Sequence, residues 1–267
     1  MRGRFQVVSR LAGVYVRAMT FPDLPRARRR EPLLNLPPVV AGLLAILVAI
    51  HLLRVFVLSR DANFWVLVTF AFLPARIGGT ADLPFPGGIG GELWTFVTYA
   101  FLHADFAHLI VNGVWMAAFG SPLARRFGAT RFLLFSAGAA IAGALAHLAT
   151  HADETMPLVG ASAAISGHMA ALCRFGFGKG GTFRAAAPED LRRPARPLAE
   201  ALRDTRVLGF LLAWFAVNLL FGLTNAAGAV QSGAIAWEAH IGGFVFGLLA
   251  FRFFDPFRTP AADRTAP

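Results

Sequence analysis

Four residues in this chain have side chains suited to acyl transfer: His108 and Asn112 in "FLHADFAHLIVN", Ser162 in "LVGASAAISGH", and His240 in "WEAHIGGFVFG". A serine hydroxyl is a weak nucleophile until a neighbouring base takes its proton, and imidazole is a common base. The tetrahedral intermediate that follows needs hydrogen-bond donors for its oxyanion. An amide, a second imidazole and the free N–H groups at a helix start can all donate. His108 and Asn112 are four residues apart, so they share one helix face. Pro157 suits the first turn of a helix, so the sequence predicts a helix from about Leu158 with Ser162 one turn inside it.

Each residue also has an ordinary reading. A serine in an apolar helix packs, or bonds back to its own backbone. A histidine near a helix end sits at an interface. The elements that carry the four residues therefore matter. The chain has 267 residues, 56% of them hydrophobic and only 15% charged. The apolar residues come in blocks, which places the chain among all-α integral membrane proteins. Six blocks are visible: 39–58, 106–124, 132–150, 158–175, 207–223 and 235–251. Each has about 17–20 residues, enough to cross a bilayer as a helix. The shorter run Asn63–Arg76 ends at a proline and reads as an interfacial or re-entrant piece of the first external loop.

The net charge of +10 could suggest a nucleic-acid partner, but the arginines sit between apolar blocks, where they act as topology signals. Twenty-two of the 25 basic residues fall on one side of a six-span plan. Arg54, Arg60 and Arg76 fall on the other. That asymmetry places both termini in the cytoplasm of a cell inner (plasma) membrane protein. The plan divides into a basic arm (1–37), a membrane domain (38–254) with a cytoplasmic linker at 176–206, and a tail (255–267). Residues 5–19 read either as an amphipathic surface helix or as a disordered arm. The linker is expected to hold a short helix near Leu198–Arg203.

With this plan the polar residues gain a common level. Spans two, four and six all run inward from the outer face. At a rise of about 1.5 Å per residue, Ser162 lies roughly 6 Å and His240 roughly 8 Å inside their helices. His108 and Asn112 are similarly shallow. Ala163 with Gly167, and Gly243 with Gly247, form small-xxx-small pairs that let spans four and six approach closely. A crossing there brings Ser162 within reach of His240. Glu238 is two residues from His240 on the same helix, so it points away and is not expected to orient the base. Among metal ligands, His147 and His151 are four apart and His103 lies near His108, but the sequence shows no third ligand cluster of Cys, Asp or Glu; no metal and no cofactor is expected. The single Cys173 cannot form an intrachain disulfide. The uncharged loop Thr224–Gly233 above His240 suits a mobile cap.

At these residues the chain resembles the rhomboid family of intramembrane serine proteases. The matching stretches are "FLHADFAHLIVN", the "GAS" of Gly160–Ser162 with a later glycine, and "AHIGGFVFG". The likeness covers about Glu92 to Phe251 together with the six-span plan. It implies a six-helix rhomboid-like bundle with short interfacial helices in the external loop. It implies Ser162 as nucleophile, His240 as general base, and His108 and Asn112 in or near the oxyanion hole. His103 takes a structural role, as do Gly160, Gly167, Gly243 and Gly247. The substrates implied are transmembrane segments within the lipid bilayer, with no obligate partner. The chain departs from the family pattern at Ala163, where glycine usually follows the serine. It departs again at Ser166, where some members carry an aromatic residue, and at Trp94–Thr95, where Trp-Arg is common. The competing readings are a rhomboid-like pseudoprotease that binds membrane segments without cutting them, and a small transporter. Retention of both Ser162 and His240 weighs against the first. Shallow polar residues and the lack of a repeat weigh against the second.

Overall fold

The computed structural model describes residues 35–78, 85–177, 190–226 and 235–257. The expected surface helix at 5–19, most of the cap loop and most of the C-terminal tail lie outside the described residues.

Regular structure among the described residues is helical, apart from one antiparallel bridge between Phe72 and Leu158. Helix α1 (Pro38–Leu52) begins with proline at its first turn, where the missing N–H costs nothing, and runs on through a π-helical turn, Leu53–Val57. Three short helices follow: α2 (Arg60–Phe70), α3 (Pro74–Gly78) and α4 (Gly88–Thr98). The Ser59 hydroxyl caps α2 by accepting from the Ala62 N–H. The run read as interfacial or re-entrant is thus two short helices divided before Pro74. The loop is fixed by side chains that donate to its carbonyls. Arg54 reaches His103, Arg76 reaches Pro86 and Val68, and the Trp94 indole reaches Thr69.

Helix α5 (Phe106–Trp115) is capped by Asp105, whose carboxylate accepts from the His108 N–H, and passes through a π-helical turn into α6 (Ser121–Phe127). Helices α7 (Ala129–Thr150), α8 (Ser162–Leu172), α9 (Leu198–Ala201), α10 (Thr205–Ala226) and α11 (Trp237–Phe254) complete the chain. The short linker helix falls where the sequence places it. Among the described residues, four continuous helical stretches are long and apolar enough to cross a membrane: Pro38–Val57, Phe106–Phe127, Ala129–Thr150 and Thr205–Thr224.

The predicted helix from Leu158 is the main departure. Helix α8 starts at Ser162 and has 11 residues. Leu158 is held extended by its paired bonds with Phe72, at 2.9 and 3.2 Å, and Gly160 has φ +116°. Neither conformation is helical, so Pro157 does not open the helix and Ser162 is its first residue rather than one turn inside.

Helices α7, α8 and α11 form the centre of the molecule. As the small residues predict, α8 and α11 cross at van der Waals distance. A methyl group on Gly243 would fall onto the Ala163 carbonyl, and one on Gly247 onto the Gly167 carbonyl. Gly167 faces α7 as well, where a methyl would sit 2.7 Å from the Ala139 Cβ. At the far end of the bundle Arg126 is buried in a two-pronged pair with Asp255, at 2.9 and 2.8 Å. It also donates to the Leu191 and Arg193 carbonyls. That clamp ties α6, the linker and the end of α11 together.

Candidate active site

The crossing of α8 and α11 sets the position of Ser162. Its hydroxyl lies 2.9 Å from Nε2 of His240. On the other side of the ring, Nδ1 of His240 lies 2.8 Å from Oδ1 of Asn218, which projects from α10. The Asn218 amide is not free to turn, because its Nδ2 donates to the Trp214 carbonyl at 2.8 Å. Its oxygen therefore faces His240 as an acceptor. An acceptor at Nδ1 selects the tautomer with the proton there and leaves the Nε2 lone pair aimed at the Ser162 hydroxyl. This is the protonation state a base needs in order to take the serine proton. Sequence reasoning passed over Asn218. A signal was available: it is the one strongly polar residue in the apolar block 207–223, and such residues tend to face the protein interior.

The segment before Ser162 is pinned from three directions. Besides the Phe72–Leu158 pairing, the Gly160 N–H donates to the Tyr99 carbonyl at 3.0 Å, and the Ala75 N–H donates to the Glu154 backbone carbonyl at 3.0 Å. Tyr99 is itself anchored by its hydroxyl on the Ala140 carbonyl at 2.9 Å. Gly160 is required twice over. Its φ lies in the region that side chains disfavour, and a Cβ there would sit 2.6 Å from Nε2 of His108 and 3.8 Å from Nδ2 of Asn112. His108 and Asn112 thus converge on the backbone two residues before Ser162. Asn112 is buried and donates to the His108 carbonyl at 3.0 Å. One of its two amide hydrogens is used this way, and the second remains to offer.

His103 supports this corner without joining it. Its ring is fully buried and meets His108 edge-on, with ring centres 5.1 Å apart. Burial, then the neighbouring His108, His51 and Arg54, push its pKa down to about 3, so the ring is neutral. At the Trp94–Thr95 departure, Thr95 is buried with its hydroxyl on the Gly91 carbonyl, and the Arg76 guanidinium donates to the nearby Pro86 carbonyl.

Glu238 points away from His240, as the helical spacing predicts. It instead faces His147 and His151, at 3.9 Å from each. That corrects one expectation: a carboxylate does join the His147/His151 pair, from a different helix.

The model of the Rhomboid domain matches residues 90–255. YdcA of Bacillus subtilis strain 168 is 40% identical over 118 residues, 42% of this chain and 56% of that protein. Human Rhomboid-related protein 3 is 40% identical over 83 residues, 30% of this chain and 20% of that protein. Rhomboid protease GluP of B. subtilis is 37% identical over 82 residues, 31% of this chain and 16% of that protein. The chain thus spans little more than half the length of the first of these relatives and a fifth or less of the others.

Proposed function

Because the chain belongs to the rhomboid family, we propose that it is an intramembrane serine endopeptidase, with Ser162 as nucleophile and His240 as general base. The observation that carries the proposal is the 2.9 Å contact between Ser162 Oγ and His240 Nε2, made across two helices and oriented from behind by Asn218. In the reaction, Nε2 takes the hydroxyl proton as Oγ attacks the scissile carbonyl carbon. The developing oxyanion is met by Nε2 of His108 and the Asn112 amide, together with free N–H groups of the first turn of α8. The imidazolium then gives its proton to the departing amine, leaving an acyl-serine. Water, deprotonated by the same imidazole, releases the acid and restores the hydroxyl.

The proposed membrane placement has six spans. Two of them, α8 and α11, are not identified by length and apolarity. Helix α8 is buried over nearly all its length, so its neighbours rather than its own residues face lipid. Helix α11 carries Glu238, His240 and Arg252 on faces turned to other helices or to its ends. The arginine asymmetry supports a placement in the plasma membrane with both termini on the cytoplasmic side. The substrates are then transmembrane segments cut near the outer leaflet. A helix in lipid keeps its carbonyls bonded, so the scissile stretch must unwind, which favours small residues at the cut and helix-weakening residues beside it.

The experiment is labelling of the detergent-purified protein with a fluorophosphonate, paired with cleavage of a model transmembrane substrate. Wild type labels and cleaves; Ser162→Ala does neither. Absence of both activities in a folded wild-type protein would replace this reading with that of a pseudoprotease that only binds membrane segments.

A further inference from the structure

Two histidines at the end of one helix and a carboxylate on another meet at the end of the bundle that carries Ser162, outside the machinery described above. His147 and His151 lie four apart at the end of α7, with their rings stacked at 4.8 Å and 19°. Glu238, in the first turn of α11, places Oε2 at 3.9 Å from Nδ1 of His147 and Oε1 at 3.9 Å from Nε2 of His151. All three candidate donor atoms lie within 4.8 Å of one another. We propose that His147, His151 and Glu238 form a binding site for a divalent transition-metal ion of the zinc class.

Four observations support it. First, the separations are too long for hydrogen bonds. Tetrahedral zinc with bonds of about 2.1 Å holds its ligand atoms about 3.4 Å apart, so small side-chain rotations close the cluster on an ion. Second, Nδ1 of His147 is buried and has no hydrogen-bond partner. A buried, unpaired ring nitrogen aimed at a carboxylate is costly unless something lies between them. Third, His151 is set in the ligating tautomer. The Thr150 hydroxyl donates to the carbonyls of Ala146 and His147, at 3.2 and 3.1 Å, and so has only its lone pairs left for Nδ1 of His151 at 2.8 Å. With the hydroxyl proton on those carbonyls, Nδ1 carries the ring proton and the Nε2 lone pair faces Glu238. Fixing a ligand's tautomer through its other nitrogen is the usual outer-shell arrangement in metal sites. Fourth, the cluster is open to solvent at His151. The His151 side chain is 37% exposed, while those of His147 and Glu238 are 10% and 14% exposed.

The donor set suits zinc, cobalt(II), nickel(II) or copper(II) rather than calcium or magnesium, which prefer all-oxygen ligation. Three protein ligands leave a fourth position for water or a donor group from solvent. A bound ion would join the end of α7 to the turn of α11 that lies two residues before His240.

The test uses full-length, tag-free protein in detergent, stripped with chelator and titrated with cobalt(II), then with competing zinc. Visible absorption and melting temperature are the readouts. One ion per chain is expected, with the visible bands of tetrahedral cobalt and a melting temperature that rises with zinc. His151→Ala, at the exposed ligand, and Glu238→Gln should each weaken cobalt binding at least about tenfold, and Thr150→Val should weaken it measurably. Ser162→Ala should bind as wild type does, which separates this site from the proteolytic reading. Equal cobalt affinity in wild type and His151→Ala, or bound cobalt without tetrahedral bands, would overturn the proposal.

Discussion

The side-chain oxygen of Asn218 lies 2.8 Å from Nδ1 of His240, and it is held there by its own amide bond to Trp214. A helix that contributes nothing else polar to the crossing thereby sets the tautomer of the ring facing Ser162. The arrangement has the logic of a triad, with a neutral amide where a carboxylate is more familiar.

Asn218→Leu is therefore expected to lower kcat for a transmembrane substrate about tenfold or more, as loss of an oriented base should, while KM changes little. Asn218→Asp, which keeps the acceptor, should recover much of the loss. If both variants lose activity equally, or if KM alone moves, Asn218 acts through packing and not through the ring.

Asn112→Ala tests the oxyanion side. Removing one donor typically costs about 10²–10³ in rate, and His108 with the α8 backbone would remain. A partial loss is expected in single-turnover cleavage, with a parallel slowing of fluorophosphonate labelling, since attack at phosphorus develops its negative charge on the same donors. A rate equal to wild type would assign Asn112 to the α5 backbone alone, through its bond to the His108 carbonyl.

Gly160→Ala addresses the segment before the nucleophile. The left-handed conformation costs a side chain about 1–2 kcal/mol, and the new methyl would arrive 2.6 Å from Nε2 of His108. Cleavage should fall well over tenfold while the melting temperature drops by only a few degrees. A variant that keeps full activity would show that His108 can move aside at no cost to the reaction.

Arg126→Ala probes the opposite end. Removing one partner of a buried pair leaves the other uncompensated, at about 3–5 kcal/mol. Arg126→Lys should rescue little, because a point charge cannot reproduce the two-pronged contact with Asp255 and the two carbonyl bonds. Denaturation in mixed micelles measures both; a silent Arg126→Ala would reduce the clamp to a surface pair.

Acid should destabilise the fold in part through His103. In the unfolded chain its ring takes a proton below about pH 6.5, while in the folded chain it resists until about 3. Between those values the unfolded state binds more protons, so the contribution is intact above pH 6.5 and is lost as pH falls toward 3. Melting temperature measured from pH 7.5 to pH 5 should fall, and less steeply in His103→Phe. Parallel slopes would remove His103 from the effect.

Much of the centre of the molecule is legible from spacing alone. The glycines of span six and the Ala163/Gly167 pair foretell the crossing, because small residues at helical intervals leave few other uses for a close approach. What spacing cannot foretell is pairing between distant segments. The helix at Ser162 starts late because Phe72, in the first loop, holds Leu158 extended. Glu238 joins two histidines about ninety residues earlier in the chain because α7 and α11 lie side by side. Arg126 looks like any other topology-setting arginine until its carboxylate partner, 129 residues on, is seen.

The brevity of α8 has an electrostatic consequence. Eleven residues rise only about 16 Å, roughly half the hydrocarbon thickness of a bilayer. A helix of full length would end among headgroups and water, where the partial positive charge of its N-terminus is screened. In the membrane placement proposed above, a helix that stops short keeps that end of its macrodipole in a medium of low dielectric, where each unit of charge acts over longer range. Ser162 is the first residue of that helix. The length deficit thus places a fixed half-charge beside the atom on which negative charge would appear, without spending an ionisable side chain inside the membrane.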